Sequence, residues 1–194
     1  MILHGNFVNT TNEAWIYAKG VIANLGETVV TEDRAMTKEV QNLLITIKNP
    51  LAGFPIPGSN WDTKALDAYA AQLLNPYKGT FDYTYGERIN NRCQLESAIR
   101  HLAEEKSTRR AVIKTWEPCK DSYSKHVPCL QLIEFLVRGD HLNMTCIFRS
   151  QDIQRAYVSN VYGLGKLQEH VGKIIGIEPG TLTTHSISAH IYIE

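Results

Sequence analysis

Hydrophobic positions along the chain follow two rhythms. Between Thr63 and Leu74 (TKALDAYAAQLL), Leu66, Tyr69, Ala70 and Leu73 recur at helical spacing. This predicts a helix capped by Asn60 or Asp62 and ended by Asn75-Pro76. A second helix is predicted from Gln94 to Glu105, with Leu95, Ile99 and Leu102 inward. A third is predicted from Asn160 to Ile175, with Val161, Leu164, Leu167, Val171 and Ile174 or Ile175 inward and Gly176 as its stop. The other rhythm is that of strands. Ala111 to Trp116, Leu130 to Val137, Leu142 to Phe148 and Thr181 to Ile193 read as strands, and Arg138-Gly139-Asp140-His141 as a hairpin turn. The first 50 residues suggest short strands, the last closing in the alternating β-branched stretch before Asn49-Pro50. Residues 51–60, with two prolines and two glycines, read as a loop. The pattern predicts an α+β fold: a mixed, mostly antiparallel sheet with helices packed on it.

Length and charge narrow the function classes. The 194 residues make a single domain, 1–194, able to bury roughly 70% of the surface of the unfolded chain. Twenty basic residues balance twenty acidic ones. A general nucleic-acid binder would usually carry a net positive charge, so any phosphate site is expected to be local. No apolar run is long enough for a membrane span. Met1 to Thr10 lacks the charged start and apolar core of a signal peptide. The four cysteines, Cys93, Cys119, Cys129 and Cys146, form no CxxC pair and have no zinc spacing with histidine. These features predict a cytoplasmic chain with reduced thiols and no metal.

Three places could carry chemistry. Pro128-Cys129 directly precedes an apolar strand. A thiol there is reachable, and a cationic neighbour would favour its nucleophilic thiolate; an isolated cysteine is otherwise a small core residue. Phe148-Arg149-Ser150-Gln151-Asp152 follows a strand and joins a guanidinium fork to a hydroxyl, a pairing suited to phosphate. Taken alone it also fits a salt-bridged loop. Ser107-Thr108-Arg109-Arg110 precedes the strand that leads to Trp116. Its adjacent arginines fit either a solvated patch or an anion grip. Large aromatics such as Trp116 and Phe148 belong first to the core.

In combination these segments resemble the core of thymidylate synthases and their nucleotide hydroxymethylase relatives. The residues that carry the resemblance are Arg109-Arg110 with Trp116, then Pro128-Cys129 nineteen residues after Arg110. Phe148-Arg149-Ser150-Gln151-Asp152, Asn160 and His190-Ile191-Tyr192 follow without a gap. Tyr83-Thr84-Tyr85-Gly86 resembles the family's Tyr-Gly segment, and Asp33-Arg34 its phosphate-loop arginine more loosely. Clear resemblance runs from Phe81 to Ile193, in particular to the short archaeal-type branch, which has Cys-Leu where most synthases have Cys-His.

The resemblance implies a role for each residue. Cys129 would add to C6 of a pyrimidine, and Arg149 would bind phosphate and lower the Cys129 pKa. Ser150 and Arg34 would be further phosphate ligands. Arg109 and Arg110 would reach the partner's phosphate in a homodimer with shared sites. Asn160 would read the O4/N3 edge of the base; the cytosine-modifying relatives favour a carboxylate there, so the amide points to dUMP. His190 and Tyr192 would hold the deoxyribose, Asp152 would contact the pterin, and Tyr85 would order the water that takes the C5 proton. The implied activity is the methylation of dUMP to dTMP, in nucleotide biosynthesis. The co-substrate would be 5,10-methylenetetrahydrofolate or methylenetetrahydromethanopterin. A pyrimidine nucleotide 5-hydroxymethylase, or a catalytically weak nucleotide- or RNA-binding homologue, fits the same residues.

The sequence departs from the family pattern in four places, one of them a reduced tryptophan-containing insertion before the Tyr-Gly segment. Leu130 stands where most synthases have histidine. The proton-relay Glu-Leu-Leu-Trp segment is missing, with Gln72-Leu73-Leu74 near its place and Glu39 and Glu87 as possible substitutes. The sequence ends at Glu194, soon after His190-Ile191-Tyr192, where the family continues with more strand and a closing tail.

Overall fold

The computed structural model describes residues 4–193; Met1 to Leu3, at the head of the segment read for a signal peptide, lie outside it, as does Glu194. In chain order the elements are β1 (His4–Thr10), α1 (Thr11–Leu25), β2 (Glu27–Val30), β3 (Met36–Asn49), α2 (Thr63–Leu74) and α3 (Tyr85–Asn90). Next come α4 (Gln94–Glu104), β4 (Val112–Lys114), α5 (Pro118–Asp121), β5 (Leu130–Arg138) and β6 (His141–Phe148). The chain closes with β7 (Gln151–Asp152), α6 (Tyr157–Ile175) and β8 (Glu178–Tyr192). No helix among the described residues is long and apolar enough to cross a membrane.

The strands form one sheet in the order β1-β3-β8-β6-β5-β4, with β2 beside β3 and β7 beside β8. Its two longest ladders, β3 with β8 and β5 with β6, are antiparallel. β1 runs parallel to β3, and β6 and β7 run parallel to β8. The α+β expectation therefore stands, with the mixed character set by the β1–β3 pair and by β8. This strand receives antiparallel β3 on one side and parallel β6 and β7 on the other.

Helices α2 and α6 and the β5–β6 hairpin follow their sequence rhythm closely. Asp62, not Asn60, caps α2, its carboxylate accepting the Ala65 N–H at 2.7 Å. Gly176 ends α6 in the left-handed conformation. Of the two isoleucines before it, Ile175 is buried and Ile174 exposed. Helix α6 starts at Tyr157, three residues earlier than expected, so Asn160 lies in its first turn.

The first 50 residues differ from expectation: α1 is a helix between strands. Thr10 caps it by accepting the Glu13 N–H, and Ala14, Trp15, Ala18 and Ile22 share its buried face. Trp15 satisfies its indole N–H on the Ile153 carbonyl at 2.7 Å. Each such fully buried large apolar side chain contributes about 1.5–3 kcal/mol.

Helices α2 and α3 meet closely because Gly86 has no side chain. A Cβ there would lie 2.0 Å from the Gln72 carbonyl oxygen and 2.3 Å from that of Asn75. No larger residue fits this contact, which brings Tyr69 of α2 and Tyr85 of α3 to the same wall of the fold.

Candidate active site

The site is assembled by the alternation of β8. Ser188, His190 and Tyr192 stand two residues apart and so share one face. In the ladder with β3, Glu39 pairs with His190 and Thr37 with Tyr192; in the ladder with β7, Asp152 pairs with His190. On the far side, the start of β5 pairs with the end of β6 through Leu130 and Phe148, which places Cys129 beside Arg149. A cleft of about 510 Å3 opens between these strand ends, α2, α3 and α6. Cys129, Arg149, Tyr85, Ser150, Asn160, His190, Tyr192 and Asp152 all line it, together with Tyr69, Glu39, Ser188 and Lys125.

Arg149 clamps the loop that carries the thiol. Its Nε donates to the Pro128 carbonyl at 3.0 Å and its Nη2 to the Val127 carbonyl at 3.1 Å. Its backbone N–H donates to the Cys129 carbonyl at 2.8 Å. A guanidinium has five N–H donors, so others remain for an anion in the cleft. Its charge pulls the Cys129 thiol down, as expected, but burial pushes harder the other way. The thiol therefore lies above its ordinary value, which corrects the expectation of a lowered pKa.

Tyr85 accepts the Leu130 backbone N–H at 3.2 Å, so its own hydroxyl proton stays available. Burial first, then the neighbouring Tyr69, Cys129 and Tyr83, raise its pKa well above the usual phenol value. It remains a neutral donor throughout the working range. Leu130 itself is 1% exposed and belongs to the core.

His190 packs edge-on against Tyr192 at 5.3 Å between ring centres. Burial lowers its pKa, partly offset by Asp152 and Glu39 on either side, so the ring is neutral near pH 7. Asp152 accepts the Gln154 and Arg155 N–H groups on Oδ1 at 3.0 and 2.9 Å. Its second carboxylate oxygen keeps its lone pairs for a ligand N–H. Of the two candidate glutamates, Glu39 lines the cleft and accepts the Ser188 hydroxyl at 2.6 Å. Glu87 instead contacts Arg88 and Lys120 at 3.4 and 3.7 Å, outside the cleft lining.

The three remaining arginines stand apart. Arg34 is exposed, with φ of 63° in the turn between β2 and β3; its neighbours Thr31, Glu32 and Asp33 line the cleft. Arg109 and Arg110 are exposed before β4, and Arg109 lines a separate surface groove with Lys106 and Arg138.

Two residues of the site region are not singled out for the site by the sequence rhythm. Tyr69, on the apolar face of α2, sends its hydroxyl to Asn160 Oδ1 at 2.6 Å. A tyrosine on a core face needs a partner for its hydroxyl, and that is the signal that could have found it. Arg88 is 2% exposed and forks onto Asp121 at 2.7 and 3.0 Å and onto Glu117 at 2.7 Å. It also lies under the Tyr83 ring, whose hydroxyl donates to the Val127 carbonyl at 3.2 Å. This buried fork braces the segment before Cys129.

A family model described as "Thymidylate synthase" matches residues 58–194. The chain belongs to the thymidylate synthase family. Curated relatives named "Putative thymidylate synthase" align along most of its length. The one from Methanococcoides burtonii is 39% identical over 188 residues, covering 94% of this chain and 87% of its own. That from Methanosarcina mazei is 37% identical over 195 residues, covering 97% and 90%. That from Methanothermobacter marburgensis is 36% identical over 203 residues, covering 95% and 91%. The family match includes the cleft wall from Tyr69 through Tyr192 and starts after the loop at 31–37, which contributes Thr31, Glu32, Asp33 and Thr37.

Proposed function

We propose that the chain converts dUMP to dTMP with a methylene-carrying reduced pterin. The observation that carries this reading is that Cys129 and the Asn160 amide line one cleft with Arg149 and Ser150. A thiol nucleophile, a reader of the base edge and an anion grip then face one nucleotide.

In this reading Arg149 and Ser150 hold the phosphate, and His190 and Tyr192 take the deoxyribose 3′-hydroxyl. The Asn160 amide accepts the uracil N3–H and donates to O4. The Cys129 thiol gives its proton to water in the cleft as Sγ adds to C6, and the electron pair of the C5–C6 double bond moves towards C5 and O4. The Asn160 donor stabilises the charge growing on O4. When bound, the reduced pterin supplies a one-carbon unit at C5 and a hydride. Asp152, through its second oxygen, offers an acceptor to a pterin N–H. After C5 has gained carbon, a water ordered by the Tyr85 hydroxyl takes its proton. Expulsion of Sγ from C6 restores the ring double bond and frees Cys129.

Arg109 and Arg110 serve the phosphate of a second copy, a role supported by their exposure away from this chain's own cleft. Incubation with dUMP and either methylenetetrahydrofolate or methylenetetrahydromethanopterin tests the reading. The expected product is dTMP by mass, with C5 tritium release that Cys129→Ala abolishes. A product one oxygen heavier identifies hydroxymethylation. Release that survives Cys129→Ala removes the mechanism.

A further inference from the structure

Helix α2 reaches the candidate base-reading amide with a phenol. The Tyr69 hydroxyl donates to Asn160 Oδ1 at 2.6 Å, and the Tyr69 ring rests against α6 at Gly163, one turn beyond Asn160. A Cβ at Gly163 would come within 3.0 and 3.1 Å of the ring carbons Cδ1 and Cε1, so glycine makes the seat. Trp61 holds the ring from another side, edge-on, at 5.8 Å between ring centres. Gln72, one turn further along α2, is absent from the cleft lining. Tyr69 is the residue by which this helix touches the site.

We propose that Tyr69 is a positioning residue that fixes the Asn160 amide in the orientation that reads uracil and refuses cytosine. This rests on the proposed nucleotide reading of the cleft. Uracil offers N3–H as donor and O4 as acceptor, so it needs Oδ1 towards N3 and Nδ2–H towards O4. Cytosine offers N3 as acceptor and its amino group as donor, so it needs the amide turned over. Oδ1 has two lone pairs; Tyr69 takes one and the uracil N3–H can take the other. Turning the amide places Nδ2–H against the phenol. The Tyr69 proton then loses its acceptor, and among the described residues the hydroxyl has no other hydrogen-bond partner. A buried donor left without a partner is disfavoured. Burial also keeps the phenol protonated, with its pKa raised well above the usual value.

Calorimetric affinities of dUMP and dCMP for the full chain test this, with Tyr69→Phe, Asn160→Ala and the double variant. Wild type is expected to prefer dUMP. Tyr69→Phe should narrow that preference by about five- to tenfold, the scale of one neutral hydrogen bond. On the Asn160→Ala background the same change should do nothing further, because Tyr69 acts through that amide. Gly163→Ala, which crowds the ring but keeps the hydroxyl, should narrow the preference in the same direction and covers a Tyr69→Phe chain that fails to fold. Equal wild-type affinities, an unchanged preference in the variant measured, or an equal penalty on the Asn160→Ala background overturns the role of Tyr69 while dUMP binding stands. Wild type that binds neither nucleotide overturns the nucleotide reading and this inference together.

Discussion

The backbone N–H of Leu130 donates to the Tyr85 hydroxyl at 3.2 Å, one residue beyond the thiol of Cys129. The phenol is thereby tied to the strand that Cys129 leads into while its proton stays free. Tyr85→Phe keeps the ring and loses both the acceptor for Leu130 and the donor for water. Turnover is expected to fall on the order of 10²-fold, the lower range for loss of proton-transfer assistance. The dUMP dissociation constant should stay within about threefold, since in the proposed reading the phenol orders water and not the base. Single-turnover kinetics with equilibrium binding separates the two.

Burial outweighs Arg149 at the Cys129 thiol, so little thiolate exists in the free protein at neutral pH. Alkylation of Cys129 by iodoacetamide should keep rising with pH beyond the ordinary thiol value of about 8.5. Arg149→Ala removes the neighbouring charge that lowers the thiol pKa, so its profile should shift to still higher pH. Peptide-resolved mass spectrometry checks this, because exposed Cys93 and Cys119 will also react.

The Arg88 fork is a buried charge cluster, with the Asp121 side chain 1% exposed. Arg88→Leu leaves that carboxylate unpaired and should cost about 3–5 kcal/mol in urea unfolding at pH 7. Arg88 holds the Asp121 carboxyl below its ordinary range, although burial opposes this. The wild-type gain is thus present above the ordinary carboxylate pKa and is lost as pH falls through the lowered one. The gap between wild type and variant should close in acid.

If Arg110 serves a second copy's phosphate, Cys129→Ala and Arg110→Ala chains should complement each other. A mixed dimer would hold one site with both defects and one site with neither. Random reassembly of equal amounts should recover about a quarter of wild-type activity, from half the dimers with one sound site each. No recovery would show that the arginine acts within its own chain.

The rhythm of α2, α6 and the β5–β6 hairpin was legible because each buries a single face. Helix α1 was not, because Ile16 and Leu25 are 60% and 58% exposed and blur its apolar stripe. Its burial comes from α6 and the sheet, partners that a local window does not contain. Helices α3 and α5 are too short to develop a period. The cleft residues from Tyr85 to Tyr192 were legible as a spaced set. The energetics were not: the balance of burial against Arg149 at Cys129 depends on three-dimensional enclosure. Tyr69 fitted the apolar stripe of α2, and only contact with α6 gives its hydroxyl a destination. Arg88 carries no local signal in the sequence, since Glu117 and Asp121 lie 29 and 33 residues further along.

Strand β8 gives the site a common clock. Its residues face Glu39 of β3 and Asp152 of β7, and its earlier half carries β6, whose end delivers Arg149. A slip of one residue in β8 would turn Ser188, His190 and Tyr192 away together and drag two neighbouring strands out of phase. The groups of the cleft cannot drift one at a time. New chemistry in this scaffold is therefore confined to exchanging side chains on a fixed lattice, with the spacing between them inherited whole.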